Sequence, residues 1–439
     1  MTEATAIKET AVTGGPSNRS ARSVFARLEI DTRLLGMIGA LVAIWIVFNV
    51  LSDGTFMSPR NLWNLSVQSA AVAIMTTGMV LIIVSRNIDL SVGSILVFTA
   101  MVMGLLQAEW LPDILGPGFD RTYMWIIVVV VGIAVGALIG GLQGVLVAFI
   151  GIPSFIVTLG GLLIWRGFAF QLARGRTIAP LDSTFQLLGG GPKGSLGEVL
   201  SWVVGGIAII ALIYGLMASR RRRRRYGFPL RPVWADVTIG AIGSLLIAGA
   251  VWVANSYPWP PNLAQEYAVA NGIPVPPGGL IIPTGIAIPV LIAVAIAIGM
   301  TILATRRRYG RYVYAIGGNP EAAELAGINT RVTILKTFVG MGILAAVAAA
   351  VISARLNAAT STLGTGIELQ VIAAAVIGGT SLAGGIGTIA GGVLGAVIMQ
   401  SLSSGMILVG VDTALQDIVV GIVLVVAVGV DAVLRRRSS

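Results

Sequence analysis

Long apolar segments alternate with short polar segments along most of this 439-residue chain. A helix needs roughly 20 apolar residues to cross a lipid bilayer, and the apolar segments recur at lengths near that value. They lie at 34–51, 67–84, 93–107, 124–150, 155–171, 199–218, 235–254, 280–304, 336–354, 368–378, 386–404 and 415–434. Two of them, 93–107 and 368–378, are short and are expected to be broken or tilted. The pattern predicts an all-α polytopic membrane protein with about 12 transmembrane or broken helices.

Composition narrows the classes of function. Hydrophobic residues make up 56% of the chain and charged residues only 11%, against about 25% charged residues in an average globular protein. The chain has no cysteine and no histidine, which excludes disulfides, thiolate or imidazole metal ligands and histidine-dependent catalysis. No metal, cofactor or catalytic site is therefore predicted. The sequence also carries no nucleotide-binding signature, so any ATP hydrolysis is expected on a partner protein.

The net charge of +10 lies in short arginine clusters beside the apolar segments. This placement fits the excess of Lys and Arg on the cytoplasmic side of membrane proteins, and no nucleic-acid partner is expected. If the chain starts inside, 22 of the 29 basic residues fall on the cytoplasmic side and six fall outside. Both termini are thus expected in the cytoplasm, with residues 1–28 forming a disordered tail. The run Arg220–Arg225 is expected to anchor the topology and to meet anionic membrane lipid.

A polar island at residues 317–328 carries the start and stop signals of one small helix. Asn319 can cap the free backbone N–H groups, Pro320 suits the first helical position, and Glu321 favours the positive end of the helix dipole. Gly327 supplies the left-handed residue that ends a helix. So short a helix is unstable alone and must be held by the protein, which leaves its outer face free for a soluble motor. The predicted ATPase-coupling residues are Asn319, Pro320, Glu321, Ala322, Ala323, Glu324 and Gly327.

A faint internal repeat places small and hydroxyl residues between two apolar segments twice, at 87–94 and at 379–388. Backbone groups freed where a helix breaks must be satisfied by protein or by a water-filled cavity, so paired breaks point to a translocation path. Ordinary turns at the membrane boundary are the alternative. Asp89 could likewise cap a helix beginning at Leu90 rather than face a path. The candidate path residues are Asp89, Ser91, Ser94, Thr380 and Ser381.

Collinear motifs spread from about residue 60 to residue 434 carry a family resemblance. They are Ile88-Asp89-Leu90-Ser91-Val92-Gly93-Ser94, Ile152-Pro153-Ser154-Phe155-Ile156-Val157-Thr158-Leu159-Gly160, Arg166-Gly167, Gly175-Arg176-Thr177-Ile178, Arg308-Tyr309-Gly310-Arg311-Tyr312, Ala315-Ile316-Gly317-Gly318-Asn319-Pro320-Glu321-Ala322-Ala323 and Gly364-Thr365-Gly366-Ile367-Glu368-Leu369. Through these motifs the chain resembles the sugar permeases of ATP-binding cassette importers, of the ribose, xylose and galactose type. An apparent extra pair of spans within 199–254 is similar to the xylose-type branch.

The resemblance implies a vitamin-B12-importer-like permease fold with an internal repeat, built as one transmembrane domain over residues 29–439. It implies import of a sugar, a pentose such as D-xylose being favoured, across the plasma (inner) membrane of a prokaryote. The implied partners are a cytoplasmic ATP-binding cassette subunit, an extracytoplasmic sugar-binding protein and a second permease copy. A secondary carrier or facilitator for a small polar solute is the alternative.

Two further features stay open on the sequence. Arg166 lies inside the apolar segment 155–171, where a charge is a functional candidate, but its position also permits the side chain to reach the interface. The outer loop 255–279 is rich in proline and aromatic residues. It is either a contact for the sugar-binding protein or a lid packed on the neighbouring spans.

Overall fold

The computed structural model describes residues 32–116 and 122–436, and the expected tail at 1–28 lies outside the described residues. The described chain is helical apart from its turns and three isolated β-bridges, which confirms the all-α prediction. Its helices are α1 (Thr32–Leu51), α2 (Pro59–Val84), α3 (Val92–Leu105), α4 (Met124–Val145), α5 (Ser154–Ala173), α6 (Ser183–Gln186), α7 (Gly197–Arg225), α8 (Val233–Asn255), α9 (Pro261–Ala270), α10 (Ile288–Arg306), α11 (Arg308–Gly318), α12 (Pro320–Leu325), α13 (Thr330–Leu356), α14 (Ile367–Ile377), α15 (Ile389–Leu408) and α16 (Thr413–Arg436).

Within the described ranges, ten helical segments are long and apolar enough to cross a membrane. The two remaining predicted spans correspond to shorter apolar helices, α14 with 11 residues and the apolar part of α16. The segment 93–107 is not short in the structure, because α3 continues through a π-helical turn at Leu106–Trp110 into Leu111–Leu115. The predicted start of the span 280–304 is also corrected. Residues 280–287 form turns and bridges, and α10 begins at Ile288.

Helix α2 lies at the centre of the bundle, where it packs against α10, α13, α14 and α15. In its most apolar stretch, 94% of the residues are buried inside the protein, so this helix faces other helices rather than lipid. Helix α13 packs closely along α4: a Cβ atom added at Gly136 or Gly140 would overlap the α13 backbone at Gly342 or Phe338. Small residues that let two backbones approach are typical of helix pairs in membranes.

The extra helix pair α7 and α8 lies at the periphery. Helix α7 packs mainly on α8, and α8 makes a smaller contact with α2. Six consecutive arginines close α7, where positive charge complements the negative end of the helix dipole. Arg220 joins the two helices, because its guanidinium donates to a carboxylate oxygen of Asp236 at 2.6 Å and to the carbonyl of Arg231 at 3.0 Å.

Candidate coupling junction

The small helix predicted from the polar island is present as α12, with the expected caps. The side chain of Asn319 accepts a hydrogen bond from the Ala322 amide at 3.0 Å, and Pro320 is the first helical residue. Gly327 has a φ of +80°, the left-handed conformation that ends the helix. The helix and its caps are therefore confirmed, while its docking to an ATPase stays a prediction.

Within the described residues, one face of α12 is held by the protein. Ala323 is buried, and the carboxylate of Glu324 accepts a hydrogen bond from the Thr330 hydroxyl at 2.6 Å, at the start of α13. The opposite face is exposed and includes Glu321, Ala322 and Leu325. Leu325 is 90% exposed, which is a large apolar side chain presented to its surroundings on a fixed helix.

Helix α11 precedes α12 and connects it to the bundle. It buries Gly310, Val313, Ile316 and Gly317 at helical spacing. The hydroxyl of Tyr314 donates to the carbonyl of Gly387 at 2.7 Å, in the turn between α14 and α15. On this evidence of packing and hydrogen bonding, α11 and α12 form one unit that rests on the second predicted helix break.

The residue just before the first predicted break contacts the same unit. The guanidinium of Arg86, just beyond α2, donates to the carbonyls of Gly317 at 2.8 Å and Gly318 at 2.7 Å. The amide of Gly385 donates to the carbonyl of Val84 at 2.9 Å, so the second break is also joined directly to the end of α2. Residues 84–86, 317–318 and 384–387 thus meet at one place, which we call the coupling junction.

Glycine is required at the centre of this junction. A Cβ atom at Gly317 would overlap the carbonyl oxygen of Val84 and contact the Gly385 amide nitrogen, and one at Gly384 would overlap the Arg86 side chain. Backbone from three separate parts of the chain therefore packs without intervening side chains. Such close approach transmits displacement, because packed backbone has no soft side chain to absorb it.

Around the first break, polar side chains bind neighbouring helices. One carboxylate oxygen of Asp89 accepts from the Ser91 amide at 2.9 Å and from its hydroxyl at 2.6 Å. The Ser91 hydroxyl also lies 3.0 Å from the side-chain oxygen of Gln143 on α4, and the Ser94 hydroxyl donates to the Leu162 carbonyl on α5. The prediction that Asp89 caps a helix beginning at Leu90 was wrong. The helix begins at Val92, and Asp89 closes the turn before it.

Around the second break, the hydroxyl residues are buried without such bonds. Thr380 and Ser381 are 1% and 2% exposed, and neither hydroxyl has a hydrogen-bond partner among the described residues. The loop is held instead by backbone, since the Ser381 amide donates to the Ile386 carbonyl and a Cβ atom at Gly378 would overlap Gly391. Residues 84–86, which directly precede the first predicted break at 87–94, contact residues 384–387 of the second. The approach of 87–94 itself to the second break stays a prediction. The role of both breaks in lining a path also stays a prediction.

Arg166 has a partner that the sequence analysis missed. Its guanidinium lies 3.9 Å from a carboxylate oxygen of Glu368 at the start of α14, with the Arg166 side chain 31% exposed and the Glu368 side chain 8%. The distance is too long for a hydrogen bond, so this is an ion pair with unused hydrogen-bonding capacity. A Cβ atom at Gly93 would overlap the other Glu368 oxygen, so α3 shapes the pocket for this carboxylate. The signal in the sequence that could have predicted this ion pair was Glu368, a single glutamate at the start of the apolar segment 368–378.

The proline-rich loop 255–279 packs against α2 through Tyr257. The rings of Tyr257 and Trp63 lie 5.3 Å apart, and those of Trp259 and Tyr267 lie 5.6 Å apart. The indole of Trp63 also donates to the carbonyl of Gly285 at 2.8 Å. Tyr267 on α9 is nevertheless 43% exposed, so one aromatic side chain of the loop remains available to a partner.

Comparison with known proteins identifies the family to which this chain belongs. The model of a family described as "Branched-chain amino acid transport system / permease component" matches residues 61–428. The chain belongs to this permease family. It is 35% identical to the xylose transport system permease protein of Escherichia coli K12 over 409 residues, which cover 93% of this chain and 94% of that protein.

Further relatives include a second xylose permease and a ribose permease. The xylose transport system permease protein of Haemophilus influenzae is 34% identical, with 93% of this chain and 98% of that protein covered. The ribose import permease protein of Escherichia coli K12 is 30% identical, with 89% and 92% covered. No solved structure matches the chain significantly. This permease is therefore a transport subunit of a multi-pass membrane system, and the vitamin-B12-importer-like fold stays a prediction.

Proposed function

We propose that this permease imports a pentose, D-xylose being the leading candidate, as the membrane-spanning subunit of an ATP-driven importer. The support is the order of similarity: 35% and 34% identity to two xylose permeases, 30% to a ribose permease and 26% to the fructose import permease protein of Rhizobium meliloti. The peripheral pair α7 and α8 also corresponds to the extra spans through which the sequence resembles the xylose-type branch.

Membership of this family implies a separate ATPase and a separate substrate-binding protein. We further propose that the chain pairs with a second copy of itself and has both termini in the cytoplasm. The 22 to six distribution of basic residues supports this orientation. In it, α12, the arginine run of α7 and the coupling junction all face the cytoplasm, where anionic lipid can meet the arginines.

The mechanism rests on one observation: α12 is an exposed, capped helix whose supporting unit contacts the end of α2 and the second helix break. We expect α12 to sit in a cleft of the ATPase, with Leu325 and Glu321 at the contact. Movement of the ATPase then displaces α11 and α12 as one unit. Because Gly317 packs on the Val84 carbonyl at the end of α2 and on Gly385 in the second break, the displacement reaches α2, α14 and α15 together. Alternating access requires rigid movement of this kind around a fixed path.

Two substitutions in α12 test this role. In Glu321→Arg the charge that favours the positive helix end is reversed, and in Gly327→Pro the φ of +80° becomes impossible. Both should abolish sugar uptake while the permease still inserts and folds. Glu198→Arg is the matched control, because Glu198 also lies exposed in the first turn of a helix, α7. Normal uptake in both α12 variants would refute the docking role.

A facilitator is the competing function, and reconstitution separates the two. Purified permease in sugar-loaded vesicles should show no flux without the ATPase. Flux with neither ATPase nor ATP would favour the facilitator. The sugar itself is best identified by binding a panel of radiolabelled monosaccharides to the partner binding protein, where pentoses should bind more tightly than hexoses. Tightest binding of a hexose would reject the pentose assignment.

A further inference from the structure

The backbone of Arg86 adopts a conformation that suits glycine. Its φ is +64°, the left-handed region that an L-residue with a side chain rarely occupies. Arg86 follows α2 in a Schellman motif, since its amide donates to the Ile83 carbonyl and the next amide, that of Asn87, donates to the Ile82 carbonyl. Glycine is the usual residue at this position of the motif. An arginine there carries a backbone cost that glycine would avoid, so the contacts made by its side chain decide what it contributes.

The second break shows the same motif with glycine. Helix α14 ends with the amide of Gly379 donating to the Val376 carbonyl and the amide of Thr380 donating to the Ala375 carbonyl. Gly379 has a φ of +82° and fills the position that Arg86 fills after α2. The helix terminus itself therefore does not require an arginine. The difference between the two breaks lies in the side chain.

The Arg86 side chain joins α2 to the unit formed by α11 and α12. Its guanidinium donates to the Gly317 and Gly318 carbonyls, which are the last of α11 and lack partners within that helix. Positive charge at a helix C-terminus also complements the dipole. The aliphatic part of the side chain packs against Gly384 in the other break. Arg86, which lies in the first part of the junction, thus contacts both of the other parts.

We propose that Arg86 is a positioning residue that clamps α11 and α12 to the end of α2, so that movement of α12 is transmitted to the helix breaks instead of being lost at a loose joint. This proposal rests on the proposed coupling role of α12. Arg86 is solvent-exposed as a residue, so its hydrogen bonds are individually modest. Their value lies in fixing a geometry that the exposed, short helix α12 cannot maintain alone.

Arg86→Gly separates this role from a structural one, because it removes the clamp and relieves the left-handed strain at the same time. We expect the purified complex of permease and ATPase to keep its thermal stability and its basal ATPase rate. Stimulation by sugar-loaded binding protein, and sugar transported per ATP hydrolysed, should fall about tenfold, equivalent to about 1.4 kcal/mol of coupling. Arg86→Lys keeps one charged donor without the planar fork and should restore part of the loss.

Arg174→Gly is the matched control. Arg174 is another exposed arginine in the left-handed region, with a φ of +52° at the end of α5, and its side chain makes no hydrogen bond within the described residues. This variant should match the wild type in stability, stimulation and transport. If Arg174→Gly loses coupling as Arg86→Gly does, relief of strain rather than loss of the clamp is responsible, and the proposal fails.

A distance measurement tests the clamp without relying on transport. The chain has no native cysteine, so spin labels can be placed at Glu321 and Ala383 alone, both of which are exposed. The distance distribution should be narrow with Arg86 and broad in Arg86→Gly. An unchanged distribution in Arg86→Gly would overturn the clamp, even if the α12 variants establish docking. A broadened distribution with normal uptake in the α12 variants would instead reject the proposed coupling role of α12. Arg86 would then hold α11 and α12 in place without a role in coupling.

Discussion

The breaks after α2 and after α14 end their helices with the same hydrogen-bond motif, yet different contacts hold the two loops. After α2, the Ser91 hydroxyl donates to Asp89 and lies 3.0 Å from Gln143 of α4, and the Ser94 hydroxyl donates to the Leu162 carbonyl of α5. After α14, the hydroxyls of Thr380 and Ser381 make no hydrogen bond to any part of the chain that the structure describes, and glycine backbone packs on backbone. The two segments of the internal repeat are therefore held in place by different kinds of contact.

The difference suggests a division of labour. At the first break, Oδ2 of Asp89 and Nε2 of Gln143 also lack hydrogen-bond partners among the described residues, but opening that loop would still break the bonds of Ser91 and Ser94. A loop with unpaired buried hydroxyls loses less when it opens to water. The first break is thus expected to act as the fixed side of the junction, and the second as the side that moves during transport.

The largest expected effect comes from removing the close approach within the coupling junction. Gly317→Ala would place a methyl group against the Val84 carbonyl and the Gly385 amide, and backbone cannot yield as a side chain can. We expect about 1–3 kcal/mol of destabilisation and loss of sugar uptake. Gly318→Ala is the matched control, because a Cβ atom there meets nothing within 4 Å. Uptake that survives Gly317→Ala at the Gly318→Ala level would show that the junction tolerates separation.

Thiol labelling gives an intermediate effect and addresses the two breaks separately. Ser91, Ser94, Thr380 and Ser381 are all at most 2% exposed, so single cysteines at these positions should resist water-soluble reagents at rest. During ATP-driven turnover, cysteines at 380 and 381 should react faster than those at 91 and 94. Resistance at all four positions throughout turnover would reject the path lining. Equal rates at both breaks would remove the distinction between a fixed and a moving side.

The smallest expected effect is a pH dependence confined to the first break. Burial raises the pKa of Asp89 from its ordinary 3.8 to about 6, although hydrogen bonds from Ser91 lower it. Between these values the folded protein holds a proton that the unfolded chain has lost. The free energy of unfolding should therefore fall as pH rises from about 4 to about 6 and level off above that range. Asp89→Asn should flatten this slope in thermal unfolding of the purified permease.

A retained slope in Asp89→Asn would assign the pH dependence to other carboxyl groups. Thr380→Val provides the comparison at the second break, because it replaces an unpaired hydroxyl by a methyl group of similar size. It should leave the slope unchanged and should cost little stability, since no hydrogen bond is lost. A marked loss of stability in Thr380→Val would show that its hydroxyl has a role that the packing does not reveal.

Local signals predicted much of the fold. Apolar length located twelve helices, because a bilayer sets a minimum length and forces each backbone to satisfy itself. The signals of Asn319, Pro320 and Gly327 placed α12 within a residue, because helix caps depend on neighbours in the chain. The same reasoning failed at Asp89, where a side chain suited to capping closes the preceding turn instead. It also failed at 93–107, where a π-helical turn lets the helix continue.

The sequence by itself determined that this is a polytopic all-α permease with a capped helix outside the spans, since hydropathy, capping and family motifs are all local in the chain. Only the tertiary structure brought Arg86, Gly317 and Gly384 together and paired Arg166 with Glu368, across separations of up to about 300 residues. Contacts of that kind depend on how whole helices pack. A single sequence records the residues that make such contacts but not the partners they meet.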